Sequence, residues 1–332
     1  MSGFVNPFQA IVGVKSEATY GADAFAGGAP ADANVLPFAT FETTQLIPVV
    51  ESDRMTATNA GECDSRTPSH NEVNWSCLLF GSSAAGVAPP VDPILLAAGF
   101  KKTVVVDTSV TYTPDVANND TDTPAMTGVI YERTHEDGTA RRVMTRGMRT
   151  PLSLVMEVGS EALLSGTALG LYDEYVGTTS ALPTLPLAYA GDQCGWMVNK
   201  LTLTVGGTVY PCEALDFNTN NGTEMIMTGD ATGGGMVSKI LLTKPKSGSR
   251  FGGSFTLVDG ATALTEAIAL WKNGNKATLT CVLTKGARTI TLEGSIQLTL
   301  LGQGSKPRFP ITYAFVRPNG ASGENFLTLA FT

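Results

Sequence analysis

The residues of this sequence that could do chemistry are few, and their spacing fits no catalytic motif. The two histidines, His70 and His135, lie in the polar segments SRTPSHNE and ERTHEDGT. Neither belongs to an HExxH motif, and there is no third histidine to complete a ligand cluster. We therefore predict that both are surface histidines.

Motifs for phosphate binding and hydrolysis are also missing from the sequence. The glycine run TGDATGGGMVSK lacks the G-K-[ST] ending that cradles a phosphate, and no GxSxG occurs. Two acidic pairs, Asp120 with Asp122 and Asp173 with Glu174, could share a proton or hold a divalent ion, but solvated loop carboxylates are commoner. We predict no catalytic, cofactor-binding or metal-binding residue, and hence a protein that is not an enzyme.

Cysteine usage and charge exclude further classes. The cysteines are odd in number, widely spaced and without a CxxC pair, so they indicate buried free thiols; they are Cys63, Cys77, Cys194, Cys212 and Cys281. The net charge of -8 and the pI near 4.9 argue against a protein that grips phosphate, because that needs clustered Lys and Arg. Any DNA close to this chain is repelled.

The composition is that of a globular protein rich in strands and turns. Apolar residues make up 43% and charged residues only 16%, and the 36 glycines and 18 prolines favour turns over helices. Such a low charge indicates a surface that is partly hidden against partners. The start, MSGFVNPFQA, has no basic or apolar targeting segment, and no run of about 18 apolar residues occurs. We predict synthesis in the cytoplasm and no membrane partner.

The first half of the chain has the pattern of a series of short strands interrupted by one helix. Residues 1–35 are rich in Ala, Gly and Asp and predict an extended arm or a disordered terminus. The predicted strands span 38–50, 74–80, 103–113, 128–133, 150–157 and 162–172. Pro90 and Pro93 can open the helix, and Gly99 ends it.

After a proline-rich junction at 181–192 the same order of elements returns. Residues 214–228 and 251–258 correspond to the first two strands, and 263–272 predicts a second helix that ends at Gly274. The sequence predicts two tandem β-domains, 36–180 and 181–316, between an N-terminal arm (1–35) and a C-terminal arm (317–332). The alternative is that all-β domains repeat strands, turns and a helix without duplication.

A hairpin closes each predicted domain, and its residues alternate between apolar and polar. Around the turn at 158–160, Leu152 and Leu154 oppose Ser153 and Glu157. The hairpin at 295–313 alternates in the same way. One face of each hairpin is therefore predicted to be core and the other wet, and such ribbons need a partner for their edges.

These residues resemble the major tail tube proteins of long-tailed, siphovirus-like bacteriophages. The resemblance lies in SEATYGADA, in PPVDPILLAAGF and above all in GVIYERTHEDGTARRVMTRGMRTPLSLVMEVGSEALLSGTALGLY. A weaker trace is SKILLTKPKSGSRFGGSFTL with LWKNGNKATL. It implies β-sandwich or barrel domains with a flanking helix, whose hairpins join an inter-subunit β-barrel. It also implies a virion protein that forms stacked rings for genome ejection.

The resemblance further implies the partners of the chain. These are its own copies, a tape measure protein inside the tube, tail terminator and distal tail proteins at its ends, and double-stranded DNA that passes without specific binding. Geometry bears on the copy number. About 24 tilted strands close a circle of roughly 48 Å, which leaves room for a duplex of about 20 Å, whereas 12 strands leave only about 15 Å. With four strands per domain, a two-domain chain predicts a trimer and a one-domain chain a hexamer.

Two groups of residues are candidates for the channel and for ring stacking. The candidates for the lumen are polar or acidic positions on wet strand faces: Glu42, Glu51, Ser153, Glu157, Glu161, Asp216, Glu293, Gln297 and Thr299. A carboxylate wall holds a polyanion off over about a Debye length of 8 Å. The polar loop 51–72 is a candidate inter-ring contact, with Asp53, Arg54, Glu62, Asp64 and Arg66.

Two other functions remain open at this point. Another virion β-protein, such as a tail terminator, baseplate or capsid decoration protein, would share the composition. A carbohydrate-binding β-sandwich would be expected to cluster its aromatic residues in one loop, but Trp75, Trp196 and Trp271 are scattered.

Overall fold

The computed structural model shows a protein built almost entirely from antiparallel strands. It describes residues 10–28, 30–31, 34–36, 39–46, 49–50, 65–66, 69–115, 123–133, 139–171, 178–181, 196–198, 201–205, 208–229, 235–243, 251–258, 261–285, 287–301, 308–316 and 326–332. Two helices lie among these residues, α1 (Asp92–Ala97) and α2 (Ala261–Asn273). The predicted class, all-β with minor α, is confirmed.

The strands fall into two groups along the chain. The first group is β1 (Ala10–Ser16), β2 (Val35–Leu36), β3 (Thr40–Leu46), β4 (Val49–Val50), β5 (Ser65–Arg66), β6 (His70–Leu78), β7 (Phe100–Val105), β8 (Ser109–Pro114), β9 (Met126–Arg133), β10 (Thr139–Arg149), β11 (Ser153–Glu157), β12 (Leu163–Leu171) and β13 (Thr178–Ala181). The second group is β14 (Thr202–Val205), β15 (Thr208–Asn218), β16 (Gly222–Gly229), β17 (Gly235–Thr243), β18 (Gly252–Val258), β19 (Lys276–Lys285), β20 (Arg288–Leu301), β21 (Arg308–Phe315) and β22 (Leu327–Phe331).

Both helices end where the glycines predict. Gly99 follows α1 with φ 90° and Gly274 follows α2 with φ 63°, a left-handed conformation that costs glycine little and other residues more. Pro93 lies in the first turn of α1, where its missing N–H has no helical partner to lose. The order helix, glycine, strand is thus present in both halves.

Eight of the strands form one continuous sheet. In the first half the order is β3, β6, β12, β11, and in the second half it is β15, β18, β21, β20. The two series are joined by the pairing of β11 with β15, in which Leu154 lies opposite Phe217. All these pairings are antiparallel, and each series contains the closing hairpin that the sequence predicts, β11–β12 or β20–β21.

Most of the remaining strands form a second layer, which β10 joins to the sheet by pairing with β12, while β14 pairs with β15 of the sheet itself. In the first half β9 pairs with β1 and β10, and β10 also pairs with β13. In the second half β20 continues between β19 and β22, and β22 carries the hairpin β7–β8. Two hairpins pair with neither layer. In chain order, β4–β5 connects β3 to β6, and β16–β17 occupies the equivalent position between β15 and β18.

One apolar core runs through both halves. Alternation places Trp75 of β6, Leu154 of β11 and Phe255 of β18 in a single cluster of buried residues, each at most 3% exposed. Aromatic rings fill the second half: Phe217 stacks with Phe251 at 6.3 Å between centroids, and Phe315 meets Phe217 edge-on. The core therefore does not divide at the junction between the halves.

Both predicted arms contribute strands where the structure describes them. In the N-terminal segment β1 pairs along its whole length with β9, and in the C-terminal segment β22 pairs with β20 and β8. The turn after β1 is held by Glu17, whose carboxylate accepts the N–H groups of Gly21 and Gly147, each at 2.6 Å. The division into two domains and two arms remains a prediction.

Three sequence predictions are corrected. The single strand at 103–113 is two strands with a turn at Asp107, and the strand at 214–228 is two strands with a turn at Asn220. Both turn residues have positive φ, 55° and 46°, which Asp and Asn tolerate better than most residues. His70 is not a surface histidine, because it begins β6 and is buried. His135 and both acidic pairs lie outside the described residues.

A buried arginine connects the halves at the end of β10. Arg149 is 2% exposed; its guanidinium donates to the carbonyl of Ile240 in β17 at 2.7 Å and to the carbonyl of Thr123. The Tyr20 ring lies 5.4 Å from the guanidinium carbon, and the Tyr20 hydroxyl accepts the Ile240 N–H. Arg149 therefore fixes the β16–β17 hairpin of the second half against the first half.

Replacing Arg149 is expected to destabilise the unassembled subunit strongly. Arg149→Ala leaves two carbonyls without their donor and opens a cavity, so the free energy of unfolding should fall by about 3 kcal/mol or more. Arg308→Ala is the matched control: its side chain is 64% exposed and pairs with Glu213, and such pairs contribute about 0–1 kcal/mol. Urea unfolding followed by tryptophan fluorescence measures both. Equal losses would contradict this role for Arg149.

Candidate functional site

One face of the eight-stranded sheet carries mainly polar side chains, although Leu78 of β6 and the exposed Leu163 of β12 also point to it, and we call it the polar face. Its members point away from the core on successive strands, and most lie opposite one another in the strand registers, whereas Thr299 lies at the register shift between Leu298 and Leu300. They are Thr40, Glu42 and Thr44 of β3, Glu72, Asn74 and Ser76 of β6, Ser165 and Thr167 of β12, Ser153, Val155 and Glu157 of β11, Ala214, Asp216 and Asn218 of β15, Ser254 and Thr256 of β18, Thr312 and Ala314 of β21, and Ser295, Gln297 and Thr299 of β20.

The polar face continues across the junction between the two halves. Ser153 of β11 lies opposite Asn218 of β15, and Glu157 lies opposite Ala214. On the other side of each strand the buried residues alternate with these, for example Leu154 and Met156, each 1% exposed. The side chains of one face therefore stay on the same side of the sheet from β3 to β20. A register shift of one residue between β11 and β15 would place the polar side chains of one half on the side of the core residues of the other.

Hydrogen bonds between neighbouring strands order many of these polar side chains. Thr167 donates to the Asn74 carbonyl oxygen at 2.7 Å, and the hydroxyls of Thr40 and Ser76 lie 2.6 Å apart. Ser254 donates to the Asp216 carboxylate at 3.0 Å. Because hydroxyls and amides are satisfied by one another in this way, these short side chains form a hydrated wall. Its surface has an open depression of about 400 Å³ over β3, β6 and β12, lined among others by Glu42, Asn74 and Thr167.

The charge of the polar face is mainly negative. Its carboxylates are Glu42, Glu72, Glu157 and Asp216. Within the described parts of the eight strands the only Lys or Arg on this side is Arg308, at the end of β21, where it forms a 2.6 Å ion pair with Glu213. A polyanion that approaches the polar face therefore meets repulsion with little compensating attraction.

Six of the nine predicted lumen residues lie together on this face. They are Glu42, Ser153, Glu157, Asp216, Gln297 and Thr299. Glu293 lies on the same side of β20, but in the section that pairs with β19 and β22. Glu161 lies beyond the sheet in the β11–β12 turn, where it bridges to Met197. Glu51 lies outside the described residues.

The predicted inter-ring loop is shorter than the sequence indicated. Val49 pairs with Arg66 and Val50 with Ser65, so β4 and β5 close its base, and β6 already begins at His70. Arg66 thus belongs to a strand. Asp53, Arg54, Glu62 and Asp64 lie outside the described residues, and their role in ring contacts remains a prediction.

Several members of the polar face were missed from the sequence. Glu72, Asn74 and Ser76 alternate with the buried residues Val73, Trp75 and Cys77 in β6. The period-two signal was therefore present in β6, although the sequence prediction placed the start of this strand four residues later. Thr40, Thr44, Ser165 and Ser254 carry no charge and could be assigned to the face only once the strand pairings were known.

The sheet ends in two differently protected edges. Among the described strands β3 has one partner, β6, so its other edge has no strand beside it. At the opposite end β20 pairs with β19 up to Gln297 and with β21 on its other side. Beyond Gln297 the carbonyl of Thr299 accepts the indole N–H of Trp271 in α2 at 3.3 Å. Helix α2 therefore stands where a further strand would otherwise lie.

The described residues contain no group of three or more His, Cys, Asp or Glu side chains placed to hold a metal ion. Cys77, Cys212 and Cys281 are buried thiols outside any disulfide, as predicted, whereas Cys63 and Cys194 lie outside the described part of the chain. Burial raises the pKa of Cys77 and of Cys281 to about 12, so these thiols stay protonated and are poor nucleophiles at neutral pH. Neither of the two described helices is long and apolar enough to span a membrane.

The family model for phage tail tube proteins matches residues 7–332, which is nearly the whole chain. The chain belongs to the phage tail tube protein family. No curated protein matches it at a significant level.

Family membership confirms the resemblance seen in the sequence and decides the general role of the chain. A phage tail tube protein is a structural component of the virion, so the predicted location in the phage tail is confirmed. Tail tube proteins assemble with their own copies and with other tail proteins. The polar face and the two sheet edges are accordingly the parts of this tail tube protein to consider for the channel and for assembly.

Proposed function

We propose that this tail tube protein is a non-enzymatic subunit that assembles as stacked trimeric rings, with the polar face lining the channel for viral DNA. The observation that carries the proposal is the continuous eight-stranded sheet with one polar, mainly acidic face. A sheet with one apolar and one hydrated face is what a pore wall requires, since the core lies on one side of it and water on the other.

The strand count supports three chains per ring. Eight strands from each of three chains give 24, the number that closes a bore of roughly 48 Å between strand axes at a tilt of about 40°. After inward side chains about 35–40 Å remains, enough for a duplex of about 20 Å. The repeated strand order in the two halves would give such a trimer a nearly six-fold inner wall.

Ring closure can follow the pairing that already joins the two halves. Within the chain the last strand of the first series, β11, pairs with the first strand of the second series, β15. The equivalent strands at the outer ends are β20 and β3. We propose that β20 of one chain pairs with β3 of the next, so that every junction around the ring is made by the same type of strand pair.

The negative face suits DNA that passes without specific binding. Each phosphate contact would add friction, whereas carboxylates such as Glu42, Glu157 and Asp216 repel the backbone over about 8 Å. On the same proposal, a tape measure protein occupies the channel before ejection, and tail terminator and distal tail proteins close the ends. These partners are the ones that a tail tube requires for its length and its termini.

The copy number is tested by imaging. We expect purified protein at high concentration, or tails isolated from virions, to show stacked rings in electron cryo-microscopy, each with three chains around a central hole. Six chains per ring would contradict the trimer while keeping the tube. Isolated globules or flat lattices, with no tube in isolated tails, would instead favour a terminator, baseplate or decoration protein.

The channel wall is tested by reversing one charge. Glu157→Lys adds a cation to the polar face of every chain, so tubes of this variant should retain short duplex DNA at about 50 mM salt and release it as salt rises. Glu224→Lys is the matched control, because Glu224 is also a surface carboxylate but lies on the separate hairpin β16–β17. Co-sedimentation of labelled DNA with tubes measures binding. Equal binding by both variants would show that Glu157 is not in the lumen.

The loop between β4 and β5 is proposed as an inter-ring contact. Replacing residues 53–62 by a short glycine-serine linker leaves the pairs Val49–Arg66 and Val50–Ser65 in place. We expect this variant to fold and to form single rings that do not stack, as seen by negative-stain microscopy and sedimentation. Full-length tubes from the shortened protein would refute the contact.

A further inference from the structure

The ring-closing edge of β20 is occupied in the single chain by a side chain from helix α2. Past Gln297 the strand keeps β21 on one side, and among the described strands it has no partner on the other. An edge of this kind exposes backbone N–H and C=O groups that attract a further strand. At this edge the Trp271 indole N–H donates to the Thr299 carbonyl at 3.3 Å.

Helix α2 is held at the edge by its own packing and by a second polar contact. Ala267 is 5% exposed and belongs to the core, and Leu270 packs against the same core. The Gln297 side-chain amide donates to the carbonyl of Gly274, the residue that follows the helix, at 3.4 Å. One face of helix α2 therefore packs into the core, while its last turn contacts β20 where the unpaired edge of that strand begins.

Trp271 is far more exposed than the other two tryptophans of the chain. Its side chain is 42% exposed, whereas Trp75 and Trp196 are 3% and 2% exposed. Leaving so large an apolar surface in water is unfavourable, and partly exposed tryptophans are frequent anchors of protein interfaces. The indole bond to Thr299 is long and neutral, and so it is easily exchanged for a better one.

In the first half of the chain the strand equivalent to β20 has a strand partner at the corresponding edge. There β11, the equivalent of the end of β20, pairs with β15 over five residues, Ser153 to Glu157. Helix α1 does not stand beside β11; it packs against β1, β7 and β9. The helix thus lies at the strand edge in the half where that edge has no strand partner.

We infer that Trp271 is a replaceable cap on the ring-closing edge, and that the surface formed by Trp271 and the backbone of residues 298–301 is a docking site for strand β3 of a second copy. When β3 arrives, one of its backbone N–H groups takes over the Thr299 carbonyl, and the indole is released. In the free chain the Trp271 indole gives the Thr299 carbonyl a hydrogen-bond donor. The cap therefore raises the protein concentration at which β20 of one chain pairs with β3 of another. This inference rests on the proposed ring.

The test compares assembly of the wild type with Trp271→Phe, which removes the N–H donor but keeps an aromatic ring. Losing one neutral hydrogen bond from the free chain should lower the concentration at which rings form by about 2- to 10-fold. Val282→Ala is the control, because Val282 is a partly exposed apolar residue on β19, 37% exposed, and lies away from Thr299 in the strand register. Sedimentation velocity over a concentration series gives the threshold, and circular dichroism checks that each variant folds.

The outcomes separate the cap from the ring itself. If the wild type forms rings and Trp271→Phe has the lower threshold, with Val282→Ala unchanged, the cap is supported. If the wild type forms rings and Trp271→Phe has the same threshold, or folds but no longer assembles, the cap is wrong and the ring stands. If the wild type forms no ring at any concentration or in isolated tails, the proposed function fails, and the cap fails with it.

Discussion

The pairing of β11 with β15 is the interaction on which the rest of the architecture depends. It joins two four-stranded series into one sheet and keeps their side chains in phase, with Leu154 opposite Phe217 in the core and Ser153 opposite Asn218 on the polar face. A slip of one residue would expose the core side and bury the polar side. The same cluster of buried core residues continues behind both series.

The low charge of the sequence follows from this arrangement. A strand with one buried face needs apolar residues at alternate positions, and a pore wall needs short polar residues at the others, so Thr, Ser and Asn replace the Lys and Glu of an ordinary surface. In the described strands the four carboxylates of the polar face have few cations near them, namely Arg308 at its rim and Lys276 of β19, which lies opposite Gln297. On the proposed function, composition and function are linked through the sheet, since the same alternation would serve both the core and the channel.

Local elements could be predicted from the sequence, whereas contacts between segments far apart in the chain could not. Alternation located both closing hairpins, and glycine located the ends of both helices, because these signals lie within a few residues. The turn at Asp107 was missed since neither Gly nor Pro marks it, whereas the turn at Asn220 was missed although Asn221 and Gly222 follow it. The junction of β11 with β15 and the place of Arg149 against Ile240 join segments about 60 and 91 residues apart, which no local pattern encodes. Six lumen candidates nevertheless share one face, because alternation fixes the side of a strand before its neighbours are known.

Joining two similar series in one chain changes the energetics of ring formation. In a trimeric ring with six equivalent junctions, three would form within chains as β11–β15 and only three between chains. An intramolecular junction escapes the loss of translational and rotational freedom that each encounter between subunits costs. Each chain then has two open sheet edges, one at β3 and one at β20. Two separate chains with one series each would have four. If the ring and the cap are as we propose, one helix at a single acceptor edge would limit unwanted pairing of the free subunit, whereas a chain with twice as many open edges would need two such helices.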